Sequence, residues 1–189
     1  YGQLPPQAIC DKKGKKLLSW RVEILPYVEQ SVLYSQFKRD EPWDSPNNKP
    51  LIAQMPKIYL KPGSEPGSGE TYYKVFTGKN TTFPFTDEKD RTRPPFTNLW
   101  SIPSLTSTQR GTSNLILCIE GGDPVIWTKP DDFDYDPNQP LPDFKPQYAG
   151  GVMVLMGDGR VMHVRKGYRE SAMRASIDPN SPSTEALSP

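Results

Sequence analysis

An α+β fold with an antiparallel sheet is the class this sequence predicts, and three observations carry it. Before Pro56 the apolar residues fall at helix-compatible spacing. Alternating, β-rich runs take over from Thr71 onward. Near the C-terminus, Gly157-Asp158-Gly159 separates two alternating runs, and Asp-Gly in that setting is the strongest short-range hairpin signal. The expected architecture is short N-terminal helices packed on an antiparallel sheet, with long Pro-rich loops and a C-terminal β-hairpin.

Taken in order, Ser19 is a helix N-cap whose hydroxyl can accept from a first-turn amide. Trp20, Ile24, Val28 and Val32 recur every four residues, and Leu25, Leu33 and Phe37 broaden the stripe. Pro26 interrupts it, so either the helix kinks there or a short turn precedes a main helix that starts at Pro26. The element ends near Lys38 to Asp40. Ser45 caps a second helix over Asn47 to Gln54, with Pro46 in its first position, and Pro56 stops it. Ile58-Tyr59-Leu60 reads as a short strand, and Thr71 to Phe76 as an alternating one. Gly78 to Arg110 is too long for a plain loop and is expected to hold short elements. Leu115 to Glu120 is a buried strand, and Val125-Ile126-Trp127 its neighbour. Val152 to Met156 and Arg160 to Val164 form the hairpin, for which both turn residues would take positive φ. Tyr168 to Ile177 closes the fold as a helix stopped by Asp178-Pro179.

The chain has 189 residues, one domain's worth, read as residues 1–178 with a disordered Ser- and Pro-rich tail over 179–189. Its 22 prolines exclude a helical bundle, because an interior Pro removes a donor and clashes with the preceding turn. A net charge of +1 gives no electrostatic footprint for nucleic acid, and the cluster Lys12, Lys13, Lys15, Lys16 reads as a solvated turn. No apolar stretch approaches the length of a membrane span. Cys10 and Cys118 have no metal-ligand spacing, and sequence leaves open whether they form a bridge.

Catalytic constellations are missing from the pattern. The single histidine, His163, lies in the second hairpin strand and faces away from Met162 and Val164. There is no Gly-x-Ser-x-Gly elbow, and Gly63 to Gly69 lacks the Lys-Ser/Thr ending of a phosphate loop. Asp40, Glu41 and Asp44 read as turn and cap chemistry. Two candidate sites remain. Asp131, Asp132, Asp134 and Asp136 offer the clustered oxygens that calcium takes, against the alternative of a stiff, solvated loop. Trp43, Trp100, Trp127, Tyr135 and Phe133 lie in or beside loops, where aromatics can stack on sugars or anchor a partner, or else cap a small core. No other cofactor is indicated, and the residues point to a protein without catalytic activity.

Several segments together resemble a domain of unknown function abundant in planctomycete-type bacteria. They are Leu17-Leu18-Ser19-Trp20-Arg21-Val22, Leu25 to Gln30, Asp40-Glu41-Pro42-Trp43-Asp44-Ser45-Pro46-Asn47-Asn48 and Met55 to Tyr59. Gly111 to Asn114, Trp127 to Pro130 and Gly157 to Val161 complete the set. Members typically begin with a prepilin-type cleavage and methylation segment, and an apolar helix precedes a Tyr/Gly/Pro-Pro stretch like residues 1–6. The resemblance therefore implies a pilin- or pseudopilin-like fold whose upstream apolar helix, the only membrane-associating part, is absent from this sequence. It also implies export to the periplasm, cell surface or exterior, and a structural role through protein partners, as a homo-oligomer or filament. Some pseudopilins hold calcium in a late loop, like that at 131–136. The family's closing signature is His, nine residues, then Asp-Gly; here Tyr148 stands at the His position. Lys61 stands where members often carry Cys. A surface-displayed module binding a glycan or matrix polymer through its loop aromatics is the alternative.

Overall fold

Strand pairing in this chain is set by which apolar runs can stack against one long central strand. The computed structural model describes residues 4–65, 67–78, 80–83 and 110–189. Strands β1 (Ala8–Cys10) and β2 (Lys16–Ser19) form a two-stranded antiparallel ribbon. Strands β3 (Glu70–Lys74), β5 (Ile116–Ile126), β7 (Gly151–Met156) and β8 (Val161–Arg165) form an antiparallel sheet in the order β3-β5-β7-β8. A short parallel pair, β4 (Phe76–Thr77) with β6 (Phe133–Asp134), adjoins it. The mixed α+β class with an antiparallel sheet is thus the observed one.

The helical part is more broken than the apolar stripe suggests. Ser19 is the expected cap, its hydroxyl accepting from the Arg21 amide, but helix α1 spans only Trp20–Glu23. A 3-10 turn over Leu25–Val28 holds Pro26 in its opening positions and ends at left-handed Glu29 (φ 61°). Helix α2 then covers Ser31–Gln36. Neither a kinked long helix nor a main helix begun at Pro26 forms. The break turns Leu25, Leu33 and Phe37 inward and leaves Val32 77% exposed. The second helix is a 3-10 segment, Lys49–Gln54, preceded by a turn in which Ser45 Oγ accepts from the Asn48 amide at 3.1 Å. Asn48 is fully buried and clasps this turn: its side chain bonds the Lys38 amide and the carbonyls of Lys38, Glu41 and Pro42. The Asp40–Asn48 motif is therefore a self-stapled loop.

Two strand expectations are corrected. Ile58-Tyr59-Leu60 is not a strand; Lys57–Tyr59 forms a 3-10 turn that buries Tyr59 and sends its hydroxyl to the Arg21 carbonyl at 2.7 Å. Val125-Ile126-Trp127 does not form a neighbouring strand, because Val125 and Ile126 continue β5. The pairing of Thr71 with Val125 and of Tyr73 with Glu120 leaves Gly121 to Pro124 as a bulge opposite Tyr72. Gly121 has the Phe144 carbonyl 2.5 Å from where a Cβ would stand, and Gly122 takes φ +77°. That chemistry reads as a turn in sequence yet builds a bulge in space.

The hairpin forms in the expected place, with Leu155 opposite Val161. Only Gly159 (φ +86°) takes positive φ, however, and Asp158 does not. The Gly159 amide donates to Met156 and the Met156 amide to Arg160, a three-residue loop closed by a left-handed glycine. Helix α3 (Glu170–Ile177) follows and ends at Asp178. It packs Met173 and Ile177 on one face of the sheet against Ile116, Ile119, Val152, Val154, Met156, Met162 and Val164. A second cluster gathers Val22, Leu25, Leu33, Phe37, Leu51 and Tyr59 around Trp127. Residues 179–189 carry no helix or strand; Arg110 donates to the Ser183 and Glu185 carbonyls, and Leu187 packs against the first cluster. No helix among the described residues is long and apolar enough to cross a membrane.

Candidate functional site: an apolar groove on the open face of the sheet

Side chains alternate across a strand, so the sheet has a second face opposite α3. Register assigns it: Tyr73 pairs with Glu120, Glu120 with Met153, Cys118 with Leu155, Met153 with His163, and Leu155 with Val161. An antiparallel sheet with one wet face would put polar residues here. This face instead carries Leu117, Cys118, Met153, Leu155 and Val161, with Leu155 37% and Val161 60% exposed. Trp20, Ile24, Ile58 and Phe83 raise one wall, and together they enclose an open groove of about 630 Å³. Leu4 and Pro5, the first of the described residues, also line it.

Among the described residues of this lining, one is charged. Glu120 is 4% exposed, and its Oε1 accepts from the Tyr148 hydroxyl at 3.1 Å. Burial pushes its carboxyl above the ordinary range, against the opposing pull of the Tyr148 hydrogen bond and the Lys61 charge. Lys61 lies over the Tyr72 and Tyr148 rings, at 5.2 and 6.0 Å, and donates to Gln147. Burial likewise pushes the Cys118 thiol and the Tyr73 hydroxyl up to about 12 each, which leaves both neutral and unreactive near neutral pH. Among the described residues the groove thus offers apolar surface, one carboxylate and no activated nucleophile.

The sequence-derived candidates fall elsewhere. The four aspartates do not converge, and the calcium assignment is corrected on that ground. Asp132 is spent in the interior on Arg21, while Asp131 pairs with Lys129 at 2.6 Å. Asp134 accepts from Thr77, and Asp136 from the Asn138 amide in a tight turn. Among the described residues no three His, Cys, Asp or Glu groups gather to hold a metal ion. Adding calcium or chelator should accordingly leave the melting temperature unchanged; a rise of several degrees with calcium would restore the loop as a site.

The aromatic candidates are mostly interior. Trp127 is fully buried, and Tyr135 and Phe133 belong to the cluster under α3, which corrects their assignment as surface platforms. Each has more area than a small core with few aliphatics can leave in water. Trp43 is half-buried against the Trp127 cluster. Trp100 lies outside the described residues. Cys10 and Cys118 are not joined by a disulfide. His163 is half-buried on the groove face opposite Met153.

The groove residues escaped the sequence reading, although a signal existed. Leu115 to Ile119 and Val152 to Met156 are apolar on both faces, a pattern of strands covered on both sides. The structure supplies that cover on one side only, among the described residues.

An α+β domain with one sheet face packed and the other apolar and open is what this geometry defines. The chain belongs to the family described as Protein of unknown function (DUF1559), whose model matches residues 1–120. The match ends at Glu120, so Tyr148 and the hairpin at 157–159 lie beyond it. No curated protein and no solved structure matches the chain.

Proposed function

We propose that this chain is the globular part of an exported, pilin-like envelope subunit that acts through protein–protein contacts and carries no catalytic activity. The open apolar groove is the observation that supports it. In this reading an apolar helix from the upstream part of the same encoded polypeptide lies along Leu117, Met153, Leu155 and Val161 and completes the second layer that the sheet lacks among the described residues. Leu4 and Pro5 line the same groove, so the first described residues lie beside the surface such a segment would cover. A bound helix both buries the patch and, where it projects beyond the domain, gives neighbouring subunits a surface for assembly. The glycan-binding alternative draws less support, since Trp127, Tyr135 and Phe133, three of its five aromatics, are buried.

The test compares the chain alone with the chain extended by its encoded upstream residues. The domain alone is expected to bind a hydrophobic dye, Leu155→Asp to weaken that binding, and the upstream segment to abolish it and raise the melting temperature. An upstream segment that leaves dye binding and melting unchanged would sink the proposal.

A further inference from the structure

A carboxylate is an expensive group to place on an apolar strand face. At position 120 the neighbours on that face are Cys118, Tyr73 and Met153, and a Leu there would simply extend the patch. Glu120 is instead nine-tenths and more buried, and it lines the groove. An ionised carboxylate has about four acceptor sites. Among the described residues only the Tyr148 hydroxyl bonds it, and only at Oε1. Lys61, the cation that acts on it from nearby, donates its hydrogen bond to Gln147 and lies over the two tyrosine rings. Acceptor capacity therefore remains on a carboxylate that lines a largely apolar groove.

We infer that Glu120, held by Tyr148, is the register contact of the groove: the helix that fills it is apolar except for one hydrogen-bond donor side chain, a hydroxyl or an ammonium, set against the Glu120 carboxylate. This rests on the helix-in-groove reading above and narrows its partner's chemistry. A sheet face of Leu, Met and Val alone would accept an apolar helix in several sliding positions, because dispersion and burial are non-directional. One buried polar pair breaks that degeneracy, as a single polar core position fixes register between paired helices. A helix slid by one turn would leave its donor in an apolar wall and the carboxylate without a second partner, and both carry a penalty.

The experiment uses the full chain with a probe helix joined to its N-terminus through a flexible Gly/Ser tether. The probe is a 16-residue Leu/Ala helix carrying one guest (Lys, Ser or Leu) moved in turn through each position. The all-apolar probe is expected to raise the melting temperature. At one position a Lys or Ser guest should raise it by about a further 5 °C relative to Leu. In Glu120→Leu that advantage should vanish while the apolar probe still stabilises. In Tyr148→Phe, which takes away the carboxylate's present donor, the advantage should grow, an outcome that a merely structural Glu120 does not produce. Stabilisation by every probe regardless of guest would overturn the register contact and leave the groove reading intact. No stabilisation by any probe would overturn both.

Discussion

Asp132→Ala is expected to destabilise the fold by about 3–5 kcal/mol, read as a lower denaturation midpoint in urea. A single oxygen, Oδ1, accepts from Arg21 Nη2 at 2.8 Å, the Val75 amide at 3.0 Å and Trp20 Nε1 at 3.1 Å. The Arg21 side chain is completely buried and that of Asp132 is 4% exposed. Truncation leaves a guanidinium without its counter-charge in the interior and two buried donors without an acceptor, which is the costly way to break a buried pair. Among the described residues Arg21 would keep only Ser19 Oγ and the Tyr73 carbonyl. Asp132→Asn should cost less, since an amide oxygen can still take hydrogen bonds though it gives up the charge. If the alanine variant unfolds within about 1 kcal/mol of the wild type, the pair is not the junction described here.

This junction reaches the groove. Trp20 and Val75 line it, and Asp132 holds the indole nitrogen of one and the backbone of the other. The break between β3 and β4 falls at Val75, whose amide leaves the strand ladder for Asp132. Loss of the carboxylate should therefore weaken dye binding to the groove as well as stability, whereas the Leu155→Asp change acts on the groove from the solvent side.

How much of this was legible in the sequence depends on the range over which each feature is decided. Ser19 as a cap, a hairpin at 157–159 and the α3 stop at Asp178-Pro179 are fixed by neighbours within a few residues, and all three are found, although in the hairpin only Gly159 takes the positive φ expected of both turn residues. Ile58-Tyr59-Leu60 has strand composition, but its fate is settled by Trp127 and the Arg21 carbonyl, residues remote in sequence. Asp132 looked like one carboxylate among four because its partner, Arg21, lies 111 positions away. The β5 bulge makes one strand read as two neighbours in sequence, because glycine and proline punctuate turns and bulges in the same way. The groove was within reach of inference: two strands apolar on both faces require two layers of cover, and a single eight-residue helix supplies one.

Trp127→Ala is the second large effect, about 3–5 kcal/mol of lost stability. The indole is fully buried, stacked on Tyr59 at 5.8 Å between centroids and met edge-on by Phe37 at 5.7 Å. Its Nε1 donates to the Ile52 carbonyl at 3.0 Å, so one side chain joins α2's end, both later 3-10 segments and the end of β5. Removal opens a cavity that three separate backbone segments would have to move to fill, and well-packed interiors relax only partly. Trp127→Phe separates the two contributions. It keeps much of the aromatic packing but leaves the Ile52 carbonyl without its donor, and should cost about 1–3 kcal/mol. A surface platform for sugars would behave in the opposite way, with ligand binding lost and the urea midpoint unmoved. That result would return Trp127 to the surface and dissolve the second core cluster, and with it the wall that Ile24 and Tyr59 present to the groove.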